Sequence, residues 1–415
     1  MKFNYGKIFL LGFGFFGVSV IWGIYNAFVP LFLANKFGLS PVWIGFFMTL
    51  DNIAALFIQP PVGVWSDRLR TPIGRRMPFI LIGAPIGALA FGIIPLAAIL
   101  PLFVACTSTL LLSMAFWRTP VVALMPDLTP SQFRSQANGI INFMGGVGAI
   151  ISYLVGSMLY KINPAYPFWL GSVLVLVATL LLFLFIREPK DFAEPEKQPS
   201  MFKSLQELIK DPEPSGIRIL LAILFWFIAY AAVEAFFSLY VNKYLGLEEA
   251  EGARLLSQLS LLFVIFALPA GKIGASFGRR KTISLGLLGM IATVAAIFLL
   301  PSSVLTTQLT KLPVLGTVPV LGLILMIAGI AWALININSL PMVVELTEPA
   351  RIGTFTGLYY LFSTLAAILG PNLFGWIVQA AGSNYNAVMA ASPIFFLVAL
   401  VLMWGVKRGE ALRQQ

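Results

Sequence analysis

The 415-residue sequence is 59% hydrophobic and 11% charged, with a net charge of +10 and a mean hydropathy of +0.91. So little polar surface cannot cover a soluble globule of this size, and the bilayer has to be the solvent. A single cysteine, Cys106, and the absence of histidine exclude an internal disulfide, a cysteine-built metal site and the commonest proton shuttle, so neither metal nor cofactor is expected.

A membrane-spanning helix needs about 20 apolar residues. Stretches of that kind run over about 7–34, 41–65, 77–98, 101–125, 134–160 and 165–187, then over 216–244, 252–275, 281–300, 314–343, 351–380 and 385–406. The first is longer than a signal-peptide core and lacks a small-residue cleavage pattern, so it is kept as a helix. Between the two sets, residues 188–215 concentrate charge and proline, and Ser200 to Lys210 alternate like a short amphipathic helix lying on the inner membrane surface. The reading is an all-α membrane protein of twelve transmembrane helices: an N-terminal six-helix bundle, 1–187, a cytoplasmic linker, 188–215, and a C-terminal six-helix bundle, 216–415.

With these spans, 21 of the 27 Lys and Arg fall inside and 5 outside (Lys36, Lys161, Lys243, Arg254, Lys311), with Arg118 left in the membrane. That is the positive-inside distribution of a multi-pass cell-membrane protein with both termini cytoplasmic. The basic charge is sorted by side, which explains it without a nucleic-acid partner.

The connector Gly63 to Ile80 carries Gly63, Asp67, Arg68, Gly74, Arg75 and Arg76, and it returns half a chain later as Gly271 to Lys281, an offset of 271 − 63 = 208. Ala275 stands where Asp67 would fall. The repeat extends further, since Asp127-Leu128-Thr129 with Gly139 matches Glu345-Leu346-Thr347 with Gly357, both at an offset of 218. The ten extra residues fall near Ser302 to Thr317, a polar external connection. Two matching loops half a chain apart, each between apolar spans, are strong evidence of an internal repeat.

The first of these loops resembles the loop between helices two and three of major facilitator transporters, which implies two pseudo-symmetric bundles with helices one, four, seven and ten lining a central cavity. Gln59-Pro60, Val62 to Arg68 and Gly74 to Ile80, together with Pro120 to Leu128 and Ala137-Asn138-Gly139, resemble plant sucrose transporters and their animal relatives in the glycoside–pentoside–hexuronide:cation symporter group. This closer likeness covers about the first 160 residues, and it departs from that pattern where Val122 replaces an arginine that this chain carries one turn earlier, as Arg118.

Asp51, Arg118 and Glu234 are the ionisable residues well inside spans, where each costs at least ~2.5–3.5 kcal/mol unless compensated. The candidate substrate residues are Trp22, Tyr25, Asn26, Arg118, Asn142, Tyr230, Trp332 and Asn336. Trp22/Asn26 and Trp332/Asn336 each place a ring beside an amide at i,i+4, which suits a sugar's C–H face and hydroxyls. Glu234 is the expected coupling carboxylate, with Arg118 its partner and Asp51 its rival; one acid suits a proton better than sodium. Gly63, Asp67, Arg68, Gly74, Arg75 and Arg76, with Asp127 and Arg134, and Glu345 and Arg351, read as gating groups at inner helix ends, Asp67 facing the start of the eleventh helix. The expected function is a monomeric, cation-coupled sugar transporter working by alternating access; the alternative is a drug or metabolite efflux transporter of the same fold. No nucleophile–base or phosphate-cradling constellation marks an enzyme.

Overall fold

The computed structural model describes residues 5–129, 134–188, 201–312, 315–348 and 351–410, the side chains at 126, 134–136 and 138 excepted. Its helices are α1 (Tyr5–Leu31), α2 (Pro41–Phe47), α3 (Leu50–Arg68), α4 (Met77–Ile93), α5 (Leu100–Leu128), α6 (Arg134–Ile162), α7 (Tyr166–Phe185), α8 (Met201–Lys210), α9 (Ser215–Leu239), α10 (Glu249–Phe277), α11 (Arg279–Leu299), α12 (Ser302–Leu305), α13 (Val320–Val344), α14 (Ile352–Ala380) and α15 (Asn386–Trp404). Among the described residues, twelve helical spans are long and apolar enough to cross a bilayer; α2 and α3 together form the second, and π-helical turns extend α1 to Lys36 and α9 to Tyr244.

Apolar side chains point outward along these helices: Leu268 is 76% exposed and Phe57 71%. Such a surface is stable against lipid tails and not against water.

The chain divides into two compact units. The first holds α1 and α3 to α7 with the segment Glu248–Ser257; the second holds Ser40–Phe46, α8, α9 and the chain from Gln258 onward. In the first unit α1 packs on α6 and α7, and α4 on α5 and α7. In the second, α9 packs on α14 and α15, and α11 on α13 and α15. These are equivalent pairings, so the repeat seen in the loops is a repeat of packing.

Small residues set the closest approach. Gly148 lies against the carbonyl of Phe16, and Ser152, one turn on, donates its hydroxyl to the carbonyls of Val20 (3.1 Å) and Gly148 (2.7 Å), so the small-residue stripe of α6 is the seam with α1. Around it Phe28 stacks on Tyr160 at 4.3 Å and leans on Phe168. The second unit has its own apolar cluster of Ala270, Ala333 and Leu334.

The expected connection at Ser302 to Thr317 is more ordered than an all-helical reading allows. It contains α12 and an antiparallel hairpin, β1 (Gln308–Leu312) with β2 (Gly316–Pro319). The tenth span therefore starts at Val320 and not at 314. The β-branched Thr317 and Val318 favour the extended strand, and Gly316 takes a left-handed φ of +69° to turn it. Gln258 of α10 braces this hairpin by donating to the Thr317 carbonyl at 3.2 Å.

Candidate functional site

Three groups of polar residues stand out, and the first lies at the basic end of the spans. Between α3 and α4, Gly74 adopts φ +115°, which an L side chain rarely does, and a Cβ there would also run into the Glu188 carboxylate. The turn brings the first amides of α4 onto that carboxylate: Arg75 donates at 3.0 Å, Arg76 at 3.0 and 3.1 Å, and Met77 at 2.8 Å. An acid at a helix N-terminus satisfies orphan amides and opposes the helix dipole. The two arginine side chains are buried and converge on Asp127 at the end of α5, Arg75 Nη2 at 2.6 Å and Arg76 Nε at 3.0 Å. Arg76 also donates to Asp67 and to Ser66. Gly63 closes this corner by accepting from Ser66 at 3.0 Å, whereas Arg68 stands exposed and makes none of these contacts.

The second unit repeats the arrangement with different spacing. Gly278, at φ +98°, precedes α11, and the Glu410 carboxylate accepts from the amides of Arg279 (2.6 Å) and Arg280 (3.1 Å). Arg279 pairs with Glu345 at 3.3 Å as Arg75 does with Asp127. Four of the residues expected to gate thus have partners other than those expected from the sequence. Asp127 serves Arg75 and Arg76, while the side chain of Arg134 lies outside the described residues. Arg351 holds Ser204 (2.8 Å) and Glu207 (2.5 Å) of α8, leaving Glu345 to Arg279. Asp67, expected to face the eleventh helix, is engaged by Arg76 in its own unit. Glu188 and Glu410 were missed because they read as linker and tail charges; the signal was available, since each follows the last span of its half.

The second group is at mid-span. In the first unit the Trp22 and Tyr25 rings meet edge to face at 5.7 Å, and Tyr25 is buried with no hydrogen-bond partner for its hydroxyl among the described residues. Asp51 accepts from Asn52 at 2.9 Å and lies within coulombic range of Tyr25 and Arg118. Packing of α3 on α5 brings Asp51 to the arginine. Asn26 is half-buried and Asn142 exposed. In the second unit the Tyr230 and Trp332 rings stack at 3.9 Å, nearly parallel at 4°. Phe227 meets Trp332 edge-on at 5.4 Å, and Tyr359 backs Phe227 at 6.3 Å. Glu234 follows Tyr230 and Asn336 follows Trp332 by one helical turn, and both are half-buried. Phe227 and Tyr359 were not singled out in the sequence, because lone aromatics in an apolar run carry no pattern.

The third group is at the opposite end of the first unit, in a cavity of about 400 Å³ lined by Phe32, Asn35, Lys36, Tyr160, Asn163 and Glu249. Glu249 accepts from Asn35 (2.5 Å) and from the Tyr160 hydroxyl (2.6 Å), beside an ion network of Lys161 with Glu248 and Glu251 and of Glu251 with Arg254.

Comparison with known proteins agrees with this architecture. The sequence profile of the Major Facilitator Superfamily matches residues 11–371 and 255–414. The chain is 23% identical over 404 residues to multidrug resistance protein 2 of Bacillus subtilis (strain 168), covering 96% of this chain and 94% of that protein. It is 24% identical over 397 residues to a protein of Deinococcus radiodurans described as a sugar efflux transporter, covering 91% of each. Sucrose transport protein SUC3 of Arabidopsis thaliana matches at 25% over 163 residues, 34% of this chain and 27% of that one. Among solved structures, a bacterial homologue of the human lysosomal transporter Spinster has the same fold, with a TM-score of 0.75 at 16% identity over 97% of both chains.

Proposed function

The chain belongs to the Major Facilitator Superfamily, and on that premise we propose that the molecule it carries is a sugar, moved by alternating access and coupled to a proton. The observation that carries this reading is the stacked Tyr230–Trp332 pair, with the amide of Asn336 one turn along α13. A broad aromatic face beside donors and acceptors suits a pyranose, whose axial C–H bonds are apolar and whose rim is all hydroxyl. Trp22, Tyr25, Asn26, Arg118 and Asn142 complete the proposed substrate set, Glu234 the coupling, and the two glycine–arginine clusters the gating. Likeness to a protein described as a sugar efflux transporter, over 91% of both chains, supports the substrate class.

A second reading, export of apolar drugs, is favoured by likeness to multidrug resistance protein 2 over 96% of this chain, and aromatic faces serve such ligands equally. Purified protein in proteoliposomes separates the two. Sugar transport predicts uptake or release of labelled disaccharide or hexose driven by a proton gradient, with no movement of an apolar cationic dye; dye movement without sugar movement reverses the assignment. Trp332→Ala is expected to weaken sugar affinity about tenfold, roughly 1.4 kcal/mol, the scale of one aromatic stacking partner. Unchanged affinity in folded Trp332→Ala protein places the site elsewhere.

A further inference from the structure

Helix α8 has ten residues and two unlike faces. Its inward side is accounted for. Leu208 fills the space beside Gly216 at the start of α9, Met201 touches Gly357 of α14, and Ser204 and Glu207 hold Arg351. What remains is a stripe of Phe202 and Ile209, seven residues apart and therefore on one side of the helix, 70% and 61% exposed. Beside it, again seven apart, stand Lys203 and Lys210, both exposed and in no salt bridge among the described residues.

An aromatic and a branched aliphatic side chain held out side by side, with two lysines along one edge, is the pattern of a helix lying in a membrane interface. The occupant is fixed by connectivity. Four residues, Asp211 to Pro214, separate α8 from α9, which is itself a membrane span, so no more than about 17 Å of extended chain lies between them. The bilayer surface is within reach of α8. This end of the spans carries the basic loops, the side that faces the anionic leaflet.

We propose that α8 is a lipid-binding surface: Phe202 and Ile209 enter the boundary between headgroups and acyl chains, and Lys203 and Lys210 hold the phosphates of anionic lipids. Because Arg351 joins α8 to the start of α14, the lipid contact anchors that helix end at the membrane surface. The proposal is independent of what the protein transports.

The test uses full-length protein with Cys106→Ala and a single reporter cysteine, Phe202→Cys or, five residues on and about 140° round the helix, Glu207→Cys, carrying a bimane fluorophore in vesicles. Lipids bearing an acyl-chain nitroxide are expected to quench position 202 several-fold more than position 207, and aqueous iodide to do the reverse. Where Phe202→Cys does not fold, Ile209→Cys reports the same stripe. Equal quenching of both positions by iodide overturns the proposal and leaves the stripe as a solvated face open to a soluble partner. Quenching at 202 is further expected to be stronger in vesicles containing phosphatidylglycerol than in phosphatidylcholine alone, and Lys203→Gln/Lys210→Gln to remove that difference. A double variant that keeps the full phosphatidylglycerol dependence overturns the headgroup assignment.

Discussion

Replacing Asp127 with alanine is expected to destabilise the protein by about 3 kcal/mol, because it removes a carboxylate shared by two buried guanidinium groups, while Arg76 keeps its bonds to Asp67 and Ser66. The side chains of Arg75 and Arg76 are 10% and 5% exposed and that of Asp127 12%, so water cannot substitute for the lost carboxylate. Asp127→Asn keeps an acceptor but not the charge and should fall in between. The equivalent pair in the second unit gives an internal comparison. Glu345 is 35% exposed and meets Arg279 at 3.3 Å, and Glu345→Ala should cost no more than about 1 kcal/mol, as exposed pairs do. Thermal unfolding of the purified variants in one detergent, with an Asp127/Arg75 double-mutant cycle, measures both. An Asp127→Ala loss no larger than that of Glu345→Ala would show that the buried cluster is not what holds α4 to α5.

Glu234→Gln is expected to abolish uphill accumulation while leaving exchange of sugar down its own gradient intact. An acid held within a span costs at least ~2.5–3.5 kcal/mol unless it is compensated, which makes a functional duty the default reading of such a residue. A single carboxylate suffices to carry a proton, whereas hard cations are held by several oxygens. Exchange moves no net proton, so a permanently neutral side chain should support it. Asp51 is the competing position, since the structure places it near Arg118. Asp51→Asn run beside Glu234→Gln decides: loss of accumulation in the first alone transfers the coupling duty to α3. Accumulation retained by Glu234→Gln under an imposed proton gradient, or driven in the parent by sodium only, removes Glu234 from the mechanism.

The sequence by itself determined the spans, the repeat and the three ionisable residues inside the membrane. Each rests on a local or periodic property: apolar runs long enough to cross the bilayer, glycines where φ must be positive, and charges where none is expected. Gly74 and Gly278 are legible for that reason. Tertiary structure decided the partners. Asp127 and Arg134 are close in sequence, yet Asp127 is bound by arginines about fifty residues away, because packing α4 on α5 brings their ends together. Glu188 looked like one more linker charge until the turn at Gly74 aimed three amides at it. The same holds at mid-span: Tyr230 and Trp332 share no sequence pattern with each other, and only the packed second unit sets their rings face to face. Periodicity tells which way a side chain points from its own helix; what it meets there depends on which helix is packed alongside, and that is fixed by contacts distant in the chain.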